Sequence, residues 1–191
     1  FMSNFAVTLY TSSNVFILGL FTGNTIVGVY SSMEKLILAI KNVYIPLYQA
    51  IYPWLSKQEK KAKIANIKKM TPFILALGVL MTLVILIFGK SILHIIYDDE
   101  LIESYFVIFK VLSFIGIFSG LSMLYNSLFF PAIKKYKLRM NIMIVAGVVN
   151  FLLSLYLVKN YGIYGTTVSV TFTELLLLLL GYYYFKKYSK L

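Results

Sequence analysis

The chain has 191 residues, of which 60% are hydrophobic and 13% charged, and its mean hydropathy is +0.82. Soluble domains carry about 25% charged residues, so this composition excludes an ordinary soluble fold and points to several membrane spans. The net charge is +11, cysteine is absent and His94 is the only histidine, which removes disulfides, thiol catalysis and the usual Cys/His zinc sites.

Taken in chain order, the first residues, "FMSNFAVTLY", lack the basic n-region of a signal peptide and do not begin with Met, which is compatible with a fragment. Six apolar segments follow, each bounded by polar or Pro/Gly punctuation, and they predict an all-α bundle of six transmembrane helices. The first covers about 2–21 and ends at "TGNT"; the second, about 26–55, contains Pro46 and Pro53. The third opens beside Pro72 and covers about 70–88, and the fourth runs over about 105–130 and closes at Pro131. The last two cover about 140–158 and 165–185. Pro46 is expected to kink its helix, whereas Pro53, Pro72 and Pro131 are expected to mark span ends. A membrane barrel would show alternating segments of about ten residues, which these continuous runs are not.

The connecting segments alternate in charge. "SKQEKKAKIANIKK", "PAIKKYKLR" and the tail "KKYSKL" hold thirteen basic residues, while "TGNT", "GKSILHIIYDDELIES" and "KNYGIYG" hold only Lys90 and Lys159. By the positive-inside rule, both ends of the segment are cytoplasmic. The same distribution accounts for the high net charge without nucleic acid, because the lysines sit between spans and form no single patch. The segment "SILHIIYDDELIES" is expected to form a short interfacial helix with an acidic surface from Asp98, Asp99, Glu100 and Glu103. Cation binding by these acids, or pH sensing by His94, competes there with the plainer reading of a solvated helix start.

Within the spans, charge is costly: about 2.5–3.5 kcal/mol per group at the centre of a helix. Yet the second span carries Glu34, Lys35 and Lys41. At about 100° per residue, these three fall with Ser31, Asn42 and Gln49 in an arc of about 120°. The opposite face carries Met33, Leu36, Ile37, Ile40, Val43, Leu47 and Ile51. Two readings follow: ion pairs with neighbouring helices that fix the bundle, or the wall of an aqueous cavity. Two lysines to one glutamate leave a positive excess, which favours an anionic ligand or a hydrated path. The sixth span repeats the pattern, with Glu174 near mid-membrane and Thr167 and Thr171 on its side. Glu174 is therefore a candidate for proton or cation coupling, or the partner of an intramembrane lysine. Lys110 lies near the end of the fourth span, where it joins the cavity set or snorkels to the interface.

Residues 9–57, through Leu18-Gly19, Val27-Gly28-Val29-Tyr30-Ser31, Glu34-Lys35 and Tyr52-Pro53, resemble the start of the C-terminal half of bacterial polysaccharide repeat-unit flippases. These are the Wzx-type O-antigen or capsule transporters of the multidrug/oligosaccharidyl-lipid/polysaccharide exporter superfamily. Residues 161–187, with Gly162, Gly165 and Glu174, resemble the family's last helix. The resemblance implies one lobe of a two-lobed transporter, the N-terminal lobe lying outside this chain. It implies translocation of undecaprenyl-diphosphate-linked oligosaccharide across the cytoplasmic (inner) membrane by alternating access, with no enzyme chemistry, cofactor or metal. Lys35 and Lys41 would then attract the diphosphate, Asn42, Gln49, Ser31 and Lys110 would complete the cavity, and Glu174 or Glu34 would couple an ion. Implied partners are the lipid-linked oligosaccharide, the bilayer, a polysaccharide polymerase and a chain-length regulator. At Asp98 the family pattern leads one to expect glycine. The alternatives are a membrane-embedded polymerase or glycosyltransferase, which needs a substantial surface loop of catalytic groups, and a related exporter of peptidoglycan precursor or drugs. Cavity lysines repel cationic drugs.

Overall fold

The computed structural model describes residues 13–190, and all its regular elements are helices. Helix α1 covers Ser13–Thr22, and the part of the first expected span before it lies outside the described residues. Helix α2 is Asn24–Lys57 and α3 is Lys60–Tyr97. A short α4, Glu100–Ser104, leads into α5, Phe106–Ala132. The final Tyr136–Lys190 stretch is bent at Gly162, whose φ of 53° and ψ of −129° are non-helical. It is therefore two helices, α6 (136–161) and α7 (163–190). Three continuous stretches, Lys60–Tyr97, Phe106–Ala132 and Tyr136–Lys190, are long and apolar enough to cross a membrane.

Helix ends do not follow hydropathy. Helix α3 begins at Lys60, well before the apolar run, because Lys and Ala are good helix formers and need no lipid to stay helical. Pro53 and Pro72, expected at span ends, lie inside α2 and α3. The interfacial helix is also shorter than expected, since the residues up to Tyr97 continue α3 and only Glu100–Ser104 form α4. Asp98 ends α3 in the left-handed conformation, φ 46° and ψ 47°, the geometry that usually recruits glycine. Asp99 then caps α4, its carboxylate accepting from the backbone N–H of Leu101 at 2.8 Å and Ile102 at 3.3 Å. His94 Nδ1 meets Glu103 at 2.7 Å and Asp98 at 3.5 Å, tying the end of α3 to α4.

The hairpin of α6 and α7 is closed by small residues. A Cβ on Gly165 would sit 2.2 Å from the Leu157 carbonyl oxygen, so the two backbones touch there. About one turn further on, Ser154 Oγ donates to Asn14 Oδ1 on α1, and about two turns on, Asn150 Nδ2 donates to Thr173 Oγ1 at 2.9 Å. Apolar area alone gives little drive for helix association in lipid; close backbones and interhelical hydrogen bonds supply it.

Helix α5 is the most buried of the three long apolar helices and forms the centre of the lobe. The Tyr44 and Tyr48 hydroxyls of α2, four residues apart, donate to the carbonyls of Gly116 (2.9 Å) and Gly120 (2.7 Å), also four apart. From α3, Thr82 Oγ1 donates to the Ser113 carbonyl at 3.0 Å. A Cβ on Gly120 would lie 2.6 Å from the Tyr44 ring, so Gly120→Ala is expected to push α2 off α5. The cost should be about 1–3 kcal/mol, read as a lower midpoint of thermal unfolding in detergent, with Ser119→Ala on the same helix as the control.

Packing divides into two apolar clusters. One, around Tyr48, Leu55, Leu128, Phe129 and Phe185, lies toward the lysine-rich end of the bundle. The other, around Leu18, Met33, Leu93, Phe109 and Ile163, lies toward the end carrying Asp98 to Glu103. The functional side chains sit at the waist between them and in the lysine-rich half.

Candidate functional site

Lys41 stands at the midpoint of α2, and its ammonium donates to the carboxylate of Glu174 on α7. The Glu174 side chain is only 5% exposed and that of Lys41 19%. Neither charge is tolerable alone at that depth, and the pair satisfies both. Seven residues before Lys41, and on the same edge of α2, Glu34 accepts from the Tyr30 hydroxyl at 3.4 Å. Tyr30, Glu34, Lys41 and Glu174 are the polar members of the lining of a small chamber of about 20 Å³, completed by Ile37, Leu38, Leu112, Ile115 and Val170, with room for a single water.

On the other side of the ion pair lies the main cavity, about 830 Å³. Its inner end is formed by Lys41, Glu174 and Ser122; its walls include Asn42 and Gln49 of α2 and Asn126 and Ser127 of α5; Tyr52, Pro131, Tyr136 and Arg139 stand at its far end. Because residues 52, 131 and 136 are at the helix ends joined by the basic segments, the cavity reaches the lysine-rich end of the bundle. The segment Leu124–Phe129 of α5 is π-helical, a wider turn common at functional sites. It contains both Asn126 and Ser127. Asn126 Nδ2 donates to Ser122 Oγ at 3.1 Å and to the Leu177 carbonyl at 3.0 Å, joining α5 to α7 beneath the ion pair.

Of the residues singled out from sequence, Lys41, Asn42, Gln49 and Glu174 line this cavity, and Glu34 borders the inner chamber. Lys35 is exposed on α2 and Ser31 half-buried, neither among the cavity's lining. Lys110 is exposed on α5, its ammonium 4.7 Å from the centre of the Phe106 ring, and also lies off the cavity. Sequence reasoning placed Arg139 among the loop charges, yet it is half-buried in the first turn of α6 and lines the cavity. Asn126 was missed as well; the pair Ser122 and Asn126, four apart in an apolar run, was the available signal.

A multi-pass, all-α membrane protein is the class that the helices define. The family model described as "Polysaccharide biosynthesis protein" matches residues 1–59. A protein of Shigella dysenteriae named as an O-antigen transporter is 27% identical over 185 residues, covering 94% of this chain and 45% of the relative. A protein of Escherichia coli K12 with the same name is 27% identical, covering 92% and 43%. A capsular polysaccharide biosynthesis protein, CapF of Staphylococcus aureus, is 22% identical, covering 86% and 42%. No solved structure gives a significant match. The chain thus spans less than half the length of the curated relatives it matches. Two of these relatives are named O-antigen transporters, and the third is named for capsular polysaccharide biosynthesis.

Proposed function

We propose that the chain forms one lobe of a two-lobed exporter that flips undecaprenyl-diphosphate-linked oligosaccharide repeat units across the bacterial inner membrane, for O-antigen or capsule. The observation that carries this reading is the cavity itself. About 830 Å³ of partly polar space is capped by a buried ion pair midway along α2 and reaches the basic end of the bundle. On this reading the basic end is cytoplasmic, the substrate's head group enters there, and a second lobe faces the exposed Asn42 and Gln49 of α2. Alternating access then requires the waist to open toward the other leaflet, and Lys41–Glu174 is the contact that must yield. Glu174 and Glu34, on either side of Lys41, are the carboxylates placed to exchange a proton or cation for it. The released repeat unit passes to a polymerase and a chain-length regulator at the outer face.

Reconstitution tests the activity. The full-length gene product in proteoliposomes should carry a fluorescent polyprenyl-diphosphate glycan between leaflets, made visible by a membrane-impermeant quencher. A rate equal to that of protein-free vesicles would refute it, and growth of polymer would point instead to a polymerase. The orientation has its own test, since the chain has no cysteine. Glu59→Cys and Glu100→Cys, both at exposed positions, should label from the cytoplasmic and external sides respectively. Labelling of both from one side would overturn the topology.

A further inference from the structure

The cavity holds two cations, and the structure treats them differently. Lys41 is neutralised by Glu174. Arg139 is not neutralised: among the described residues no carboxylate pairs with it, and its Nε is buried without a hydrogen-bond partner. Of the other acids, Glu59 is exposed at the start of α3 and forms no ion pair with Arg139, and the rest are engaged or remote. Glu34 is bonded to Tyr30 at the inner chamber, and Asp98, Asp99 and Glu103 are held at the opposite end of the bundle.

We infer that Arg139, rather than Lys35 or Lys41, is the residue that seizes the phosphate oxyanion of the ligand, at the basic end of the cavity. A guanidinium offers a planar fork of donors that matches two oxygens of one phosphate, and partial burial strengthens each bond. Two tyrosines stand beside it. Tyr52 and Tyr136 both line the same end of the cavity. Their hydroxyls are donors for the second phosphate of a diphosphate, and their faces are platforms for the first sugar. Helix α6 begins here with no acidic residue in its first turn, so its dipole adds to the positive potential instead of being offset. The ligand class is a diphosphate monoester or diester; this assignment deepens the transport reading and rests on it.

The test is binding, measured by native mass spectrometry on the full-length gene product in nanodiscs of neutral lipid. Undecaprenyl diphosphate, phosphatidylglycerol and inorganic pyrophosphate are the three probes. Arg139→Gln should weaken binding of undecaprenyl diphosphate at least about ten-fold, and Arg139→Lys, which keeps the charge and loses the fork, by about three- to five-fold. Lys35→Gln should leave binding within about two-fold of wild type, because an exposed lysine contributes little. Arg139→Lys also keeps the proposal testable if the glutamine variant fails to fold. Equal binding by wild type and both Arg139 variants overturns the assignment while leaving transport intact. Phosphatidylglycerol binding as tightly as the diphosphate, with the same sensitivity to Arg139, overturns the diphosphate assignment in favour of a bilayer headgroup. Failure of the wild-type protein to bind any of the three overturns the transport reading with it.

Discussion

Glu174→Gln is expected to abolish transport and to lower the yield of folded protein. The substitution removes the carboxylate that pairs directly with the Lys41 ammonium at the waist of the lobe. Removing one partner of a buried pair costs about 3–5 kcal/mol. Because Lys41 is 19% exposed and borders the cavity, the low end of that range applies, about 3 kcal/mol. Lys41→Gln should cost a similar amount through the stranded carboxylate. The exchange Lys41→Glu with Glu174→Lys restores the attraction, and folded yield should recover with it. Unfolding midpoints in detergent measure the loss of stability, and glycan flipping in proteoliposomes the loss of transport. Recovery of folding without transport would mean that the polarity of the pair matters for the cycle and not only its existence. Wild-type behaviour of Glu174→Gln in both measurements would remove the pair from the mechanism.

Gly165→Ala should be nearly as damaging, for a steric reason. The new methyl would stand 2.2 Å from the Leu157 oxygen and 2.4 Å from its carbonyl carbon, both backbone atoms that no rotamer change can move. Helices α6 and α7 must part, and the hydrogen bond from Asn150 to Thr173 lengthens with them. A loss of about 3 kcal/mol is expected, at the upper end of ordinary overpacking. Gly162→Ala carries a different penalty, because φ 53° with ψ −129° lies outside the regions that residues with a Cβ adopt. Helical content and the unfolding midpoint of purified protein decide both cases. A Gly165→Ala protein as stable as its parent would mean that the hairpin is looser than drawn here.

Much of this architecture was legible because bilayer physics writes itself along a chain. Continuous apolar runs far longer than a barrel strand, separated by alternately basic and poorly charged segments, point to helices and suggest an orientation. The helix ends were not legible: hydropathy reports where lipid stops, whereas the helix of Lys60–Tyr97 continues through lysines for its own conformational reasons. The site was half legible. An arc of about 120° gathered Glu34, Lys35 and Lys41 together, since a projection knows angles but not neighbours. Glu34 and Lys41 lie at one edge of that arc and Lys35 at the other. The helices bearing Leu112 and Glu174 cover only the first edge, so Lys35 is left outside. Arg139 was concealed by its context. In a run of lysines it counted as one more loop charge, and only the start of a helix at Tyr136 turns it inward. The pairing of Lys41 with Glu174 joins residues 133 apart, a distance no local pattern spans.

The π-helical turn at Leu124–Phe129 has a consequence for how such a lobe changes over evolutionary time. A π turn is an α turn that has absorbed one more residue. Deleting one amino acid there would return the segment to regular winding and leave the helix beyond it nearly on its present bearing, because the wide turn sweeps about the same angle with one more residue. Asn126 and Ser127, inside the wide turn, would lose their present bearing, while the Pro131 corner beyond it would keep its own. Which polar side chains the wall presents is thus set by a single-residue insertion, and one codon gained or lost would retune the space without touching any charged group.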